Sequence, residues 1–207
     1  MLNTDMSIEI SRVQRNLLVE EVLVQINLAV EAYTRLHETV AKVETRQRRE
    51  VWAFVQSALS HTAMISKYMS PSNKNSALSV GRAEALKGLL VVAEESPVFS
   101  RNARNNVEHL DERLDLWIGA GGGPLLERVF DSRKDYEYLN PPEAGERRHF
   151  IKRVYLIDED TFMSEGHNGL EEINLKELMT EILRIERVAE CFLAEDDAVV
   201  RVHPQRA

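Results

Sequence analysis

The sequence is poor in cysteine and in long apolar runs. Its 207 residues include one cysteine, Cys191, which excludes an internal disulfide and any zinc or iron–sulfur site built from several cysteines. No apolar stretch approaches the roughly 20 residues that a membrane-spanning helix needs. Residues 1–10 lack a basic stretch followed by an apolar run. We therefore expect a cytoplasmic protein with no signal peptide and no membrane partner.

Basic residues are also outnumbered. The chain has 26 lysines and arginines against 34 acidic residues, which gives a net charge of −8. Because binding along a nucleic acid depends on neutralising many phosphates, this balance argues against a broad basic face. A small basic site remains open, because basic residues cluster at Arg46, Arg48 and Arg49 and at Arg147, Arg148, Lys152 and Arg153.

The motifs of several widespread active sites are missing. The sequence contains no GxxxxGK[ST] or GxGxxG loop, no HExxH motif and no GxSxG elbow. The glycine-rich stretch at 119–124 follows a predicted helix instead of preceding one, so it favours a helix terminator over a phosphate site. We therefore expect no bound cofactor and no structural metal ion.

Helical periodicity is the strongest positive signal. Apolar residues recur three and four positions apart over most of the first half of the chain. Ser79 is the predicted cap of the third helix, and the pair Ser96-Pro97 is typical of the start of the fourth. The pattern predicts a mainly α fold, an antiparallel bundle of about five helices. The predicted helices cover about 18–43, 51–69, 80–93, 97–118 and 175–193.

One place predicts β-structure. Two short β-like runs, 150–157 and 161–164, flank Asp158-Glu159-Asp160, which is typical of a turn. A small β-hairpin is therefore expected before the last helix, inside an insertion at 125–169. The chain is otherwise predicted to be a single domain, 1–207, with a mobile tail at 195–207.

One segment combines residue types that suit phosphate chemistry. The apolar stripe of the helix predicted at 97–118 leaves Asn105 and His109 in a row on its polar side, with Arg104 on the opposite shoulder. An arginine can hold phosphate oxygens through two hydrogen bonds, and a histidine can move a proton near neutral pH. The same spacing also fits a solvated helix face in which Arg104 pairs with Glu108.

The segment RNNVEHLDERLDLW, which starts at Arg104, resembles the Arg-x4-6-His motif of HEPN domains. In the common form of that motif a polar residue, often asparagine, follows the arginine, as Asn105 does here. A preceding helix with the sequence SHTAMISKYMSP adds to the similarity to a bacterial HEPN-like family of largely uncharacterised proteins. The resemblance covers about 13–118 and the final helix, and it implies a HEPN-like helical bundle.

The resemblance also implies a chemistry. Active HEPN members are metal-independent endoribonucleases in which a dimer brings two motif helices together. Carried over to this chain, Arg104 would bind and polarise the scissile phosphate, and His109 would act as acid or base on the ribose 2′-hydroxyl or the leaving 5′-oxygen. Asn105 would orient the phosphate or the histidine. RNA is then the expected substrate, and the expected assembly is a homodimer with residues 98–118 in its interface.

Three functions remain open from the sequence. The first is a HEPN-type ribonuclease of toxin or defence type, which an antitoxin or another regulatory partner keeps inactive. The second is a non-catalytic interaction module of the same fold, in which Arg104 and His109 are structural. The third is a structural helical protein whose partner covers the hairpin region. Elsewhere, His61 is predicted to be a hydrogen-bonded structural histidine and Cys191 a small buried residue.

Overall fold

A computed structural model describes most of the chain. The described residues are 10–42, 48–100, 110–119, 125–139, 151–166 and 169–202. Over these ranges the protein is mainly helical and contains a small four-stranded sheet. None of the described helices is long and apolar enough to cross a membrane.

Six α-helices occur in the described residues, and the long ones follow the predicted periodicity. The apolar stripe of the first helix buries Val22, Ile26 and Leu36. The last helix extends past 193, where its prediction ends, to Val202. The helices are α1 (Arg12–Val40), α2 (Arg48–Tyr68), α3 (Ala77–Leu89), α4 (Leu110–Gly119), α5 (Arg133–Leu139) and α6 (Leu175–Val202), and Pro97–Phe99 forms a 3-10 turn.

Local caps set the starts of these helices. At the start of α1 the Ser11 hydroxyl accepts the N–H of Gln14 at 3.3 Å, and Oε1 of Gln14 accepts the N–H of Ser11 at 2.9 Å, a reciprocal capping box. The cap predicted for α3 is wrong. Ser76, not Ser79, is the cap, because the Ser76 hydroxyl accepts the N–H of Ser79 at 3.3 Å. The helix therefore begins and ends earlier than predicted.

The fourth predicted helix is wrong at its start. Pro97–Phe99 is a 3-10 turn, and an α-helix is described only from Leu110 to Gly119, where the predicted glycine-rich stretch begins. The Ser96 hydroxyl donates to Oε1 of Glu181 at 2.9 Å instead of capping a helix. The residues between the turn and α4, 101–109, lie outside the described part of the chain.

The sheet is mixed, with the strand order β1-β2-β3-β4. The predicted hairpin is confirmed as the antiparallel pair β2–β3. The expectation of a hairpin alone is wrong, because β1 pairs parallel to β2 on one side and β4 pairs antiparallel to β3 on the other. The strands are β1 (Leu125–Phe130), β2 (Ile151–Leu156), β3 (Thr161–Gly166) and β4 (Gly169–Asn174).

The chain divides into two compact units. Unit 1 comprises Met1–Leu28, His61–Phe99 and Glu181–Ala207, and unit 2 comprises Ala29–Ser60 and Ser100–Thr180. Helices α1, α2 and α6 each contribute residues to both units. The core of unit 1 includes buried apolar residues from all three of its stretches, such as Ile26, Leu86 and Ile185.

Unit 2 contains the sheet, and its central strand β2 is buried along its whole length. The register places Arg153 and Tyr155 of β2 on one face, with Phe162 of β3 opposite Tyr155. On that face the Phe162 ring packs edge-on against Trp52 of α2, with 6.3 Å between the centroids. The other face carries Val154, Leu156, Met163 and Phe130.

Candidate functional site

The three residues of the predicted ribonuclease site, Arg104, Asn105 and His109, lie outside the described residues. The next described residue after His109 is Leu110, where α4 begins. Along α4, Leu114 and Trp117 of the predicted apolar stripe are half-buried, whereas Ile118 of that stripe is exposed. The amphipathic pattern is therefore confirmed for part of α4, and the arrangement of the three site residues stays a prediction.

The basic cluster predicted around the hairpin is partly internal. Lys152 and Arg153 are 5% and 7% exposed in β2. Nη2 of Arg153 donates to Oε2 of Glu127 on β1 at 2.7 Å, and the guanidinium carbon lies 5.0 Å from the centroid of the Trp52 ring. Burial lowers the pKa of Arg153, and the neighbouring Glu127 carboxylate opposes that shift. A buried, paired arginine cannot bind a phosphate backbone, so this part of the cluster is structural.

Most of the remaining basic residues of the two clusters lie outside the described part of the chain. Arg49 is exposed on α2. Arg46, Arg147 and Arg148 lie outside the described residues. The convergence of these residues on Arg104 and His109 therefore stays a prediction.

A polar cluster surrounds Asp160, at the turn between β2 and β3. Oδ1 of its buried carboxylate accepts a hydrogen bond from the Tyr155 hydroxyl at 2.6 Å, and Oδ2 accepts one from the Tyr33 hydroxyl of α1. The backbone carbonyl of Asp160 accepts the N–H of Leu175, at the start of α6, at 2.8 Å. One residue thus joins the hairpin to two helices.

The backbone of Asp160 restricts which residue can stand there. Its φ of 49° lies in the left-handed region, which aspartate and asparagine adopt more readily than most other residues. The N–H of Asp160 donates to the carbonyl of Ile157 at 3.2 Å and closes the turn. The position therefore needs a residue that tolerates this backbone and also offers acceptor oxygens to two tyrosines.

His37 is the fourth member of the Asp160 cluster. Its Nε2 lies 3.4 Å from Oδ2 of Asp160, and its ring packs edge-on against Tyr33, with 4.5 Å between the centroids. Tyr33 and His37 are four residues apart on α1 and so share a face. The His37 side chain is 46% exposed and that of Asp160 is 9% exposed. The cluster therefore presents an accessible imidazole beside a buried carboxylate.

The two tyrosines of the cluster are held in their protonated form. Burial is the larger cause, and the hydrogen bond to the Asp160 carboxylate adds to it, so the pKa values of Tyr33 and Tyr155 both rise above the ordinary tyrosine value. In this state each hydroxyl remains a donor to Asp160. The cluster therefore connects α1 to the hairpin through two hydrogen bonds that require both tyrosine hydroxyls to be protonated.

These raised pKa values predict an alkaline limit to stability. In the unfolded chain a tyrosine ionises at pH ~10. Groups whose folded pKa is higher contribute stability below that pH, and this stability is lost as the pH rises through the folded pKa. In an ultraviolet titration of tyrosinate we expect Tyr33 and Tyr155 to ionise only as the protein unfolds. The Tyr155→Phe variant should lose one of these late tyrosinate signals, and early reversible ionisation of both tyrosines would contradict the proposed burial.

An ion-pair bridge supports the same hairpin from α5. Arg133 donates to both oxygens of Glu159 at 2.7–3.0 Å and to both oxygens of Glu172 at 2.8–3.0 Å. The hydrogen bonds from Arg133 lower the pKa of Glu159. Because these side chains are about a third or more exposed, their pairing contributes little to stability.

The Asp160 cluster was not predicted from the sequence. The turn at 158–160 is confirmed and Tyr33 lies half-buried in α1, but no local pattern in the sequence links the two. The available signal was the i, i+4 pair Tyr33 and His37 on one helix, together with a second tyrosine, Tyr155, on a strand next to an acidic turn.

The predictions for two other residues have clear outcomes. Nδ1 of His61 lies 2.9 Å from Oε1 of Gln25, which confirms a hydrogen-bonded histidine. The prediction that Cys191 is buried is wrong, because it is exposed. The buried row of α6 includes Ile185 and Ala189, and Cys191 lies two positions further on, about 200° around the helix.

No metal centre is apparent where side chains are described, since these ranges hold no group of three or more His, Cys, Asp or Glu residues that could bind an ion. The expected absence of a metal and of a cofactor stays a prediction.

Comparisons with known proteins leave the chain without a family. No protein-family model, no curated protein and no solved structure matches it. The function has therefore to be proposed from the chemistry of its own residues.

Proposed function

We propose that the chain is a HEPN-like, metal-independent endoribonuclease that acts through Arg104, Asn105 and His109. The observation that carries the proposal is the sequence RNNVEH, which places a guanidinium, an amide and an imidazole within six residues directly ahead of α4. These groups suffice for phosphodiester cleavage by a general acid–base mechanism.

The proposed reaction uses the ribose 2′-hydroxyl as nucleophile. His109 or its symmetry mate removes the hydroxyl proton, the 2′-oxygen forms a bond to phosphorus, and the bond from phosphorus to the 5′-oxygen breaks as that oxygen takes up a proton. Arg104 binds the phosphate oxygens, where negative charge accumulates, and Asn105 holds the phosphate or the imidazole in place. The products are a 2′,3′-cyclic phosphate and a 5′-hydroxyl.

The proposal includes a fold and an assembly. The fold is the antiparallel bundle of about five helices, and the assembly is a homodimer through residues 98–118. Each Arg104 then lies near His109 of the other copy, so that the site is complete only in the dimer. An antitoxin or another regulatory partner would bind close to this shared site.

The charge distribution supports a small site over an extended RNA-binding face. The net charge is −8, and Lys152 and Arg153 are buried. Such a protein can bind one or two phosphates, but it offers few cations along which a long RNA backbone could bind. Because few counterions would be released, we expect RNA binding to depend weakly on salt.

The proposal is tested by RNA cleavage in the presence of EDTA. His109→Ala and Arg104→Ala should each lower the cleavage rate by about 10²–10⁴-fold, the usual contribution of a general acid or base. The controls His61→Gln and Arg35→Ala remove a histidine and an exposed arginine elsewhere and should leave cleavage unchanged. Circular dichroism and light scattering should show that all four variants keep the helical fold and the dimer.

Two results would reject the ribonuclease. One is a wild-type protein that leaves mixed RNA intact. The other is cleavage that persists in both His109→Ala and Arg104→Ala, since a contaminating nuclease would then be its source. Activity that needs added Mg²⁺ would also contradict the proposed mechanism, which has no metal-bound water.

The second candidate function is a non-catalytic interaction module, and an exposed apolar row on α1 favours it. Val13, Leu17, Val24 and Leu28 are 40–69% exposed. At 100° per residue they fall within about 60° of one another, so they form one stripe outside the core. Soluble monomers rarely expose such a stripe without a partner.

The interaction module has its own expected outcome. If a second copy covers the stripe, sedimentation should show a dimer for the wild type and a monomer for Val24→Asp combined with Leu28→Asp. RNA would stay intact, and His109→Ala would melt well below the wild type because the motif is then structural. A wild-type monomer would reject this candidate.

A further inference from the structure

A pocket of about 470 Å³ lies in unit 1, between the start of α1 and the loop that leads into α3. The apolar part of its lining comprises Ile10, Leu17, Leu18 and Leu78. Leu17 and Leu78 remain 60% and 54% exposed, although both are large apolar side chains. The volume falls within the range of about 300–1,000 Å³ that is typical of small-molecule sites.

The lining also includes a cation, Arg82. Nη1 of Arg82 donates to the carbonyls of Lys67 and Tyr68 at 3.3 and 2.9 Å, and its Nη2 donates to the carbonyl of Ser70 at 3.1 Å. These carbonyls lie at and just beyond the C-terminus of α2, so Arg82 caps that helix. Within the described part of the chain, Arg82 has no carboxylate partner, and its Nε–H has no acceptor.

Hydroxyl groups flank the cation. The Ser76 hydroxyl accepts the N–H of Ser79, which leaves its own proton for another acceptor. The Ser72 and Ser79 hydroxyls lie 3.0 Å apart, and the Ser79 hydroxyl also accepts the N–H of Asn73. The residues that line the pocket include one arginine and no acidic residue. An anion would therefore meet N–H and O–H donors and no lining carboxylate, although the chain as a whole is acidic.

We propose that this pocket binds an amphipathic organic carboxylate. The apolar body lies against Leu17, Leu18 and Leu78, and the carboxylate accepts hydrogen bonds from the Nε–H of Arg82 and the hydroxyl of Ser76. A guanidinium that already caps a helix is held in one orientation, so little side-chain entropy is lost when it binds the ligand. This inference is independent of whether Arg104 and His109 cleave RNA.

The test uses decanoate as the probe and the full chain as the protein. Calorimetry should show saturable binding of decanoate below its micellar concentration. 1-Decanol should bind at least about tenfold more weakly, because it lacks the charge-assisted hydrogen bonds to Arg82. In ¹⁵N-resolved NMR spectra the Arg82 Nε–H and the amides of Ser76 and Leu78 should shift together as decanoate is added.

Variants locate the binding at this pocket. Leu17→Asp introduces a negative charge, the same sign as that of decanoate, at an exposed apolar position of the pocket. It should weaken decanoate binding by about tenfold or more. The matched control Leu183→Asp makes the same change at a partly exposed leucine of α6 outside the pocket and should bind as the wild type does. Equal affinity for decanoate and decanol, no shift at Arg82, or unchanged binding by Leu17→Asp would each overturn the proposal.

Discussion

Replacing Glu127 by alanine is expected to lower the free energy of unfolding by about 3–5 kcal/mol, the usual cost of removing one partner of a buried ion pair. The side chains of Arg153 and Glu127 are 8% and 16% exposed. Among the described residues, Glu127 is the one carboxylate that pairs with Arg153. Without it, the guanidinium stays in the sheet against Trp52 with its charge uncompensated. Urea denaturation followed by circular dichroism measures the loss.

Two further variants separate charge from packing in this prediction. Glu127→Leu combined with Arg153→Met replaces the pair by apolar side chains and should recover most of the lost stability, because no buried charge then remains. Glu172→Ala removes an exposed partner of Arg133 from the same sheet and should cost about 0.2–1 kcal/mol. If the double variant is as unstable as Glu127→Ala, the loss comes from side-chain packing and not from the unpaired charge.

Asp160→Ala is the second substitution with a large expected effect, about 2–6 kcal/mol. The estimate follows from two hydroxyls that lose their acceptor, at ~1–3 kcal/mol for each buried donor. Tyr155 is fully buried and Tyr33 is half-buried, so the larger share falls on Tyr155. Alanine also fits the left-handed backbone at this turn less well than aspartate does. Thermal unfolding and urea titration of the variant against the wild type give the value.

The hydrogen-bond origin of this effect can be isolated. Asp160→Asn keeps the backbone preference and one acceptor oxygen, so it should cost clearly less than Asp160→Ala. In a Tyr155→Phe background, Asp160→Ala should lower the free energy of unfolding by at least about 1 kcal/mol less, because one of the two hydroxyls that would lose its acceptor is already absent. An unchanged cost in that background would assign the loss to the turn and not to the tyrosine hydroxyls.

The helices were predictable because their signals are local. The buried row through Val22, Ile26 and Leu36 is readable within a few turns of sequence, whereas the start of α1 at Arg12, about six residues before its predicted start, was missed. The hairpin β2–β3 was predictable for the same reason, since a short turn joins its strands. Strand β1 was missed because it pairs with Ile151 and its neighbours, across a connection that contains a helix.

The Asp160 cluster shows why a site can be missed in a sequence whose helices and hairpin are predicted well. Asp160 and Tyr33 are 127 positions apart, and only the packing of α1 against the hairpin brings them together. Composition indicated that Lys152 and Arg153 could face a phosphate, but it could not show that the sheet buries them. For Arg104, Asn105 and His109, the sequence remains the whole basis of the prediction.

The division of the chain into interleaved stretches has a consequence for its synthesis. Unit 2 contains no residue beyond Thr180, whereas unit 1 needs Glu181–Ala207 as well as Met1–Leu28. A ribosome releases the chain from its N-terminus, so unit 2 can gather all its parts while unit 1 still lacks Ile182, Ile185 and Ala189 of its core. Residues Met1–Leu28 are therefore synthesised before unit 2 but can complete their own unit only after it, and until then their apolar residues remain open to a chaperone.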